Sequence, residues 1–342
     1  MVTIVIKSFN RPYYLDRCLQ SIQICVEGNF EIKVLDDGTP KVYLDKLIKK
    51  YPNILLLKSK QYLEKVNAIN KNLTTGEAIN GFKIPTDLWY NTVKNSSDYV
   101  LVIEDDVWFT QQVNLDELVK QMQQYNIALL KLGWLGNEKD DLHCNVNNLS
   151  NEIKAAIPKK LFTSNKWVMD LFMYNKYKFF TILYKLGLVD NQTKRKYWTI
   201  NSILMGLYQK DYWLSIWADA NGNVDEKQQL RNAATWYHKN KNAVFAKTTH
   251  EILKTTFQSS ATGSYHAYDN WFDVNRMNFI LNEFWLNDAF DVMENYPKDF
   301  SDGCIKRYLN QINHPNAKAE EWFKWAEKFK NQYRNLGAEV DN

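Results

Sequence analysis

Short apolar runs alternate with segments of helical spacing through the first 135 residues of the chain. In the segments between the runs, apolar residues recur three or four positions apart, as at Leu15, Leu19 and Ile22, which predicts helices. Asn10, followed by Pro12, is the expected N-cap of the first helix. Regular alternation of this kind predicts an α/β fold in which helices flank a mainly parallel sheet. The predicted strands are 2–7, 30–35, 54–57, 99–103 and 127–132.

The second half of the sequence is less regular. A strand is expected at 167–174, a short helix around Ile153, and helical segments at 179–186 and 198–208. Internal repeats and low-complexity linkers are absent from the sequence, which indicates one continuous domain with a helical C-terminal part. Two amphipathic helices are expected in that part, at 279–293 and 320–333.

The composition excludes several classes of protein. A formal charge of +4 over 342 residues argues against a nucleic-acid-binding protein, which usually carries a concentrated basic stripe. The four scattered cysteines do not suit a disulfide scaffold, and they favour a reducing, cytoplasmic setting. No apolar run reaches the roughly 20 residues that a membrane span needs. The 12 Trp, 20 Tyr and 17 Phe residues suit either sugar-stacking platforms or an aromatic-rich core.

The apolar run at 99–103 ends abruptly in three carboxylates, Glu104, Asp105 and Asp106. Such a run predicts a strand buried on both faces, and ligands of open α/β sheets bind at the carboxyl ends of strands. Because unpaired buried carboxylates are very costly, a cation should neutralise these three. Hard oxygen ligands suit Mg²⁺ or Mn²⁺, which also bind diphosphate oxygens. The alternative is a solvated acidic turn.

A second acidic segment, Asp36-Asp37-Gly38, follows the predicted strand at 30–35. A carboxylate there can accept hydrogen bonds from a nucleobase or a ribose hydroxyl, and Gly38 permits a sharp turn. The alternative is an Asx turn that leads into the next helix.

These segments, in this order, resemble the nucleotide-binding half of GT-A glycosyltransferases, especially family 2. Ile4-Val5-Ile6-Lys7-Ser8-Phe9-Asn10-Arg11-Pro12 is similar to the opening of that family, and 34–39 to its nucleotide-contacting segment. Residues 102–107 are similar to its D-x-D metal motif, in the E-D-D form of the N-acetylglucosaminyltransferase I group. The resemblance implies a Rossmann-like GT-A domain over 1–275, followed by a helical extension at 276–342. Within that domain, 1–135 is the nucleotide-sugar-binding half and 136–275 the acceptor half.

The resemblance also implies roles for individual residues. Asp106 becomes the direct ligand of a Mn²⁺ or Mg²⁺ cofactor. Lys65 lies where the chain departs from the family, because Lys60–Asn67 replaces a Gly-rich segment, and it either meets a phosphate or is a solvated helix lysine. The other residues implied to contact the nucleotide-sugar are Ser8, Asn10, Arg11, Asp36, Asp37, Glu104 and Asp105.

The catalytic base of an inverting transfer must be a carboxylate that deprotonates the acceptor hydroxyl. The segment that begins at Asp225-Glu226 resembles the acidic pair of inverting members, with Glu226 at the usual base position and Asp225 second. Asp219 is a third candidate. Because acids at a helix N-terminus are favoured by the helix dipole, the alternative is simple capping.

Two further residues are candidates for donor contacts. His266, in a segment of small residues that suits a mobile lid, is expected to contact the diphosphate or the metal, the alternative being a surface histidine. Trp134, after the strand at 127–132, either stacks on a sugar ring or is buried.

The last predicted helix carries Trp322, Phe323, Trp325 and Phe329 between lysines. It either contacts a membrane surface peripherally, where lipid-linked acceptors reside, or docks on the domain.

The expected function is therefore metal-dependent transfer of a hexose from a nucleotide-sugar, expected to be a UDP-sugar, to a hydroxyl of a glycan or lipid-linked acceptor, with inversion. A non-catalytic glycan-binding protein on the same fold and a nucleotidyltransferase are the alternatives. The second of these should have a Gly-rich basic loop after the first strand, which Lys7–Pro12 does not provide.

Overall fold

A computed structural model describes residues 1–137, 142–202, 205–261 and 272–340 of the chain. Its strands are β1 (Val2–Ser8), β2 (Val26–Glu27), β3 (Phe30–Asp36), β4 (Ile54–Lys58), β5 (Tyr99–Glu104), β6 (Val107–Phe109), β7 (Val113–Asn114), β8 (Ile127–Lys131), β9 (Cys144–Asn148), β10 (Ile153–Pro158), β11 (Gly206–Gln209), β12 (Val244–Thr248) and β13 (Leu253–Thr255). Its α-helices are α1 (Pro12–Cys25), α2 (Lys41–Lys50), α3 (Tyr62–Thr75), α4 (Thr86–Lys94), α5 (Leu115–Gln124), α6 (Lys166–Met173), α7 (Phe179–Lys185), α8 (Lys210–Trp217), α9 (Glu226–Lys239), α10 (Val274–Leu286), α11 (Asp302–Ile312) and α12 (Ala319–Leu336).

Nine of the strands in the described ranges form one sheet in the order β4-β3-β1-β5-β11-β8-β12-β10-β9. The pairings among β4, β3, β1 and β5 are all parallel. β11 runs antiparallel to both β5 and β8, so β5 and β8 run in the same direction, and β12 is parallel to β8. The carboxyl ends of β1, β3, β4, β5, β8 and β12 therefore share one edge of the sheet. The predicted α/β fold, with helices flanking a large sheet, is confirmed.

Residues of β1 and β5 are buried on both faces of the sheet, as their apolar runs predict. Ile4 and Leu101 pack in the core on one face, with Leu15 and Leu19 of α1. Val5, Val100 and Val102 belong to the core on the other face, where aromatic side chains of α6 and α8 pack. Truncation of such a fully buried aliphatic side chain to alanine typically costs about 2–5 kcal/mol of stability.

Three predicted elements in the second half are wrong. The expected strand at 167–174 is helix α6, which begins where the Asn165 side chain caps the amides of Trp167 and Val168. Its buried residues Met169, Phe172 and Met173 recur at helical spacing, in an apolar stretch that Asp170 interrupts.

The expected helix around Ile153 is strand β10, which lies between β9 and β12. The expected helix at 198–208 is a 3₁₀ turn at Arg195–Ile200 followed by β11. In both cases pairing with neighbouring strands overrides the local sequence pattern.

The predicted N-cap of α1 is also wrong. Asn10 has a left-handed backbone (φ 53°), and its side-chain amide donates to Asn275 Oδ1 at 3.0 Å. Arg11 occupies the N-cap position without a side-chain capping bond, and Pro12 follows in the first turn. The left-handed residue therefore directly precedes Arg11.

The C-terminal helices pack on the rest of the chain. Trp322 and Trp325 of α12 are buried, and the Trp322 indole donates to the Gln258 carbonyl at 3.0 Å. Of the two interpretations of this helix, docking is the one that the structure shows. Within the described residues, no helix has the length and apolar character to cross a bilayer. The division of the chain at 275 stays a prediction.

Candidate active site

The acidic residues at the end of β5, Glu104, Asp105 and Asp106, are held by cationic side chains from β1 and the start of α1. Lys7 Nζ lies 2.6 Å from Glu104 Oε1. Arg11 is a fork between the next two carboxylates: Nη1 donates to Asp106 Oδ2 at 2.7 Å, and Nη2 donates to Asp105 Oδ1. Because Asp105 and Asp106 are buried, the alternative of a solvated acidic turn is wrong.

Asp105 is satisfied on both oxygens, since Oδ2 accepts the Phe9 amide at 3.0 Å. Burial nevertheless raises its pKa to about 7, against the opposing charge of Arg11. Burial also raises the pKa of Asp106. At Glu104, burial would raise the pKa, but the charge and hydrogen bond of Lys7 outweigh that effect and lower it. The charges of Asp105 and Asp106 likewise outweigh the effect of burial on Arg11 and raise its pKa. Asp105 thus positions Arg11, whereas Asp106 keeps an oxygen for other contacts.

That oxygen, Asp106 Oδ1, is buried and finds no hydrogen-bond partner within the described ranges of the chain. Three carboxylates against Lys7 and Arg11 leave one uncompensated negative charge when all are ionised. A divalent cation would reverse this excess, and an anionic substrate would then balance it. Among the described residues no three His, Cys, Asp or Glu side chains form a metal-binding group. Mg²⁺ is commonly held by only one or two carboxylates together with substrate phosphates, so the residues fit such an ion.

On one side of this cluster lies a cavity of about 390 Å³, which we call the donor cavity. Its walls combine apolar and aromatic side chains, among them Phe9, Phe82, Ile84 and Trp89. Trp89 also packs under the Lys7 ammonium, 4.8 Å from the ring centroid. The polar residues of the lining include Lys7, Ser8, Asn10, Arg11, Asp37, Lys65, Asn72, Glu104 and Asp105.

The two aspartates at the end of β3 have different environments. Asp36 is fully buried, and its oxygens accept from the Gly38 amide and from the amide and hydroxyl of Thr39, which is the Asx-type turn named as an alternative. Burial raises its pKa to about 6. Asp37 lines the donor cavity and pairs with Lys65. Of the two, Asp37 is therefore the one placed to meet a ligand.

Lys65 is only 5% exposed, so the alternative of a solvated helix lysine is wrong. Besides pairing with Asp37, its ammonium donates to the Lys83 carbonyl at 2.8 Å. Gly38 lies against it, because a Cβ added there would come 2.9 Å from the Phe9 ring and 3.0 Å from Lys65 Cβ. Glycine at this position thus lets Phe9 and Lys65 close one end of the donor cavity.

A larger cavity of about 790 Å³, which we call the acceptor cavity, also borders the carboxylates. Arg11, Glu104, Ser260 and Ala261 line both cavities, so the two meet at the carboxylate cluster. Asp106 and Glu226 line the acceptor cavity together with aromatic and basic side chains. These side chains are Trp134, Trp198, Phe257, Phe329, Tyr333, Lys131 and Arg195.

The acidic pair at the start of α9 divides between two roles. Asp225 is the N-cap: one oxygen accepts the amides of Lys227 and Gln228, and the other accepts the Tyr174 hydroxyl. Glu226 lines the acceptor cavity, and partial burial, followed by the charge of Asp225, raises its pKa. The third candidate, Asp219, pairs with Arg231 and lines neither cavity among the described residues.

The remaining candidates are Ser8, Trp134 and His266. Ser8 lines the donor cavity, and its buried hydroxyl has no partner in the described ranges. Trp134 is half-buried at the acceptor cavity, with the Lys247 ammonium 4.7 Å from its ring centroid. His266, expected to contact the diphosphate or the metal, lies outside the described residues.

Sequence reasoning missed several lining residues. Lys131 ends β8 at the same sheet edge as Glu104, so strand direction could have identified it. Trp198 and Arg195 lie in the 3₁₀ turn at Arg195–Ile200, of which only 198–200 overlaps the predicted helix, and Phe329 and Tyr333 come from α12. No short motif marks these four.

No protein-family model and no curated protein matches the sequence. Among solved structures, S. aureus TarS 1–349 in complex with UDP-GlcNAc is similar at 11% identity, over 95% of this chain and 78% of that one, with a TM-score of 0.42. Glucosyl-3-phosphoglycerate synthase from Mycobacterium tuberculosis, in complex with Mn²⁺, UDP and phosphoglyceric acid, is similar at 11% identity, over 85% and 80%, with a TM-score of 0.40. The bifunctional glycosyltransferase WbbM is similar at 11% identity, over 84% and 51%, with a TM-score of 0.36. Likeness at this level carries no argument about function, which must rest on the geometry of this chain.

Proposed function

We propose that the protein is a glycosyltransferase that moves a sugar from a nucleotide-sugar, with a UDP-sugar as the expected donor, to a hydroxyl of a glycan or lipid-linked acceptor. The observation that carries this proposal is the meeting of the donor and acceptor cavities at Arg11 and Glu104, beside Asp106. A transferase needs two substrate sites that meet where the sugar passes from donor to acceptor, whereas a binding protein needs only one site.

In the donor cavity, the nucleobase of the donor lies between apolar walls with its polar edge toward Asp37. The diphosphate of the donor lies toward Arg11 and Asp106. The Arg11 guanidinium is buried and fixed by two carboxylates, so it presents a preorganised positive charge to an anionic leaving group. A Mn²⁺ or Mg²⁺ ion held by Asp106, with Glu104, would add charge stabilisation to the departing nucleoside diphosphate.

In the acceptor cavity, Glu226 deprotonates the attacking hydroxyl. Its raised pKa improves its match to this task, because a general base works best when its pKa approaches the working pH. The base lies in the acceptor cavity and the leaving group in the donor cavity. Attack from the side opposite the leaving group gives inversion at the anomeric carbon.

Thermal unfolding with nucleotides, with and without Mn²⁺, tests the donor site. UDP or a UDP-sugar with Mn²⁺ should raise the melting temperature of the wild type by about 2–5 °C at saturating concentration. The shift should be lost in Asp106→Asn, which keeps the shape of the side chain but weakens it as a ligand. Asp98→Ala is the matched control, because Asp98 is an exposed aspartate at the opposite end of β5.

The result also separates the alternatives. If no nucleotide shifts the melting temperature, the transferase proposal fails and a glycan-binding role gains support. If UDP shifts wild type and Asp106→Asn equally, the donor site stands and the metal-binding role of Asp106 is wrong.

A further inference from the structure

Residues 176–188 carry an exposed apolar surface. This segment is distant in sequence from β1, β3 and β5, which build the carboxylate site. Five large apolar side chains in this segment are exposed to solvent. Tyr177 is 90% exposed, Leu186 67% and Leu188 62%, and Ile182 and Tyr184 are the other two. Single exposed apolar residues are normal on a folded protein, but five of them within the thirteen residues 176–188 indicate an interaction site.

The segment has a rigid base. Phe172 of α6 packs against Phe180 of α7 with ring centroids 5.4 Å apart, and the Lys194 ammonium lies 4.3 Å from the Phe180 ring. Leu183, on the inner side of α7, is buried. The exposed side chains are therefore held outward by a packed layer beneath them.

The turn that precedes α7 carries backbone strain. Tyr177 (φ 53°) and Lys178 (φ 58°) are both left-handed, which costs about 1–2 kcal/mol per residue outside glycine. Both side chains are exposed, so burial does not recover that cost. Strain that the fold itself does not offset points to a functional reason for the exposed turn.

The charge of the surrounding segment is strongly asymmetric. Residues 159–196 contain nine lysines and arginines but only two aspartates, a formal charge of +7. Because the whole chain carries +4, the remaining residues carry −3. Of these nine basic side chains, Lys166 is the one with an ion pair in the described ranges, to Asp219.

We propose that the exposed side chains of residues 176–188, which we call the basic–apolar face, bind the surface of an anionic lipid bilayer. Tyrosine and aliphatic side chains insert at the headgroup boundary, and lysines beside them attract anionic lipids. Lys176, Lys178 and Lys185 alternate with the apolar side chains of the face, and no acidic residue lies between 176 and 188. A second copy of this chain is a poor occupant, because two segments of charge +7 repel.

The residues that flank the face connect it to the acceptor cavity. Tyr174, two residues before Lys176, donates its hydroxyl to Asp225, the neighbour of Glu226, and Arg195 of the same basic segment lines the cavity. Bilayer binding here would bring a lipid-linked acceptor to the catalytic carboxylate. That consequence rests on the proposed function, whereas the binding itself does not.

Co-sedimentation with vesicles tests the proposal without any donor or acceptor. The full-length protein should sediment with phosphatidylcholine vesicles that contain about 30% phosphatidylglycerol and should stay in solution with pure phosphatidylcholine. Lys178→Glu with Lys185→Glu should weaken the partition coefficient at least about tenfold, since each basic side chain adds to the attraction. Tyr177→Asn with Leu186→Ser should weaken it as well, at unchanged charge.

Lys49→Glu with Lys120→Glu is the matched control, because it makes the same charge change at exposed positions outside the segment. Melting temperatures verify that every variant is folded. An equal loss in this control would show nonspecific electrostatics and overturn the proposal. Absence of sedimentation with the wild type would overturn it too. Unchanged vesicle binding by both face variants would also overturn it, because the face would then serve another partner, such as a protein. A failure of the nucleotide shift with intact vesicle binding would refute only the proposed function.

Discussion

Glu226→Gln should reduce the rate of sugar transfer by about 10²–10⁴-fold while leaving donor binding unchanged. Glutamine fills nearly the same volume but cannot accept the proton of the acceptor hydroxyl. Because Glu226 lines the acceptor cavity and not the donor cavity, the nucleotide-induced rise in melting temperature should match that of the wild type. Release of nucleoside diphosphate with acceptor present measures the rate, and thermal unfolding measures binding.

Asp225→Asn is the matched control for this prediction. Asparagine caps helices as well as aspartate does: its oxygen can accept the amides of Lys227 and Gln228, and its side-chain amide can donate to the Tyr174 hydroxyl. Transfer by this variant should therefore fall by far less than in Glu226→Gln. If Asp225→Asn lost more transfer activity than Glu226→Gln, Asp225 and not Glu226 would be the catalytic base.

The pH dependence of the wild-type rate gives a second check on Glu226. The base acts when deprotonated, so the rate should rise with pH through a pKa above the ordinary value of a glutamate, since the pKa of Glu226 is raised. This rise should be missing from the residual activity of Glu226→Gln.

The first half of the fold could be predicted from the sequence because local pattern and tertiary position agree there. The runs that form β1 and β5 are buried on both faces, and the acids that follow β3 and β5 lie at one sheet edge because the strands are parallel. β11 could not be predicted in this way. Its four residues form a strand only because β5 and β8 lie on either side of them.

The candidate site shows the same division. Strand direction alone predicts that Asp37, Glu104 and Asp106 lie near one another. The fork of Arg11 depends on the left-handed backbone of Asn10 and on its bond to Asn275, which is 265 positions away in the sequence. Three adjacent acids in a sequence predict a metal, whereas in the folded chain Lys7 and Arg11 already compensate most of their charge.

Arg11→Met should destabilise the protein by about 3–5 kcal/mol, the largest effect on stability that we expect from a single substitution in this site. The change leaves two buried carboxylates, Asp105 and Asp106, without their cationic partner. Loss of the positive charge raises the pKa values of both carboxyls further above those of the unfolded chain. Both carboxyls are therefore protonated in the folded state. The folded variant would bind protons more tightly than the unfolded chain, so its stability should fall as pH rises from about 4 toward neutrality and above. Urea unfolding at pH 5 and pH 8 measures the effect, with the larger deficit expected at pH 8.

Two companion variants test whether uncompensated charge, and not lost packing, causes the deficit. Arg11→Met combined with Asp105→Asn and Asp106→Asn removes the stranded charges and should recover part of the lost stability, most clearly at pH 8. Arg11→Lys keeps one positive charge but cannot bridge two carboxylates as a planar fork does, so it should lie between the wild type and Arg11→Met. A triple variant no more stable than Arg11→Met, with no dependence on pH, would show that Arg11 acts through packing alone. The same triple variant lacks the charged carboxylate at Asp106 and the cation at Arg11, so it should also lose the UDP-dependent rise in melting temperature.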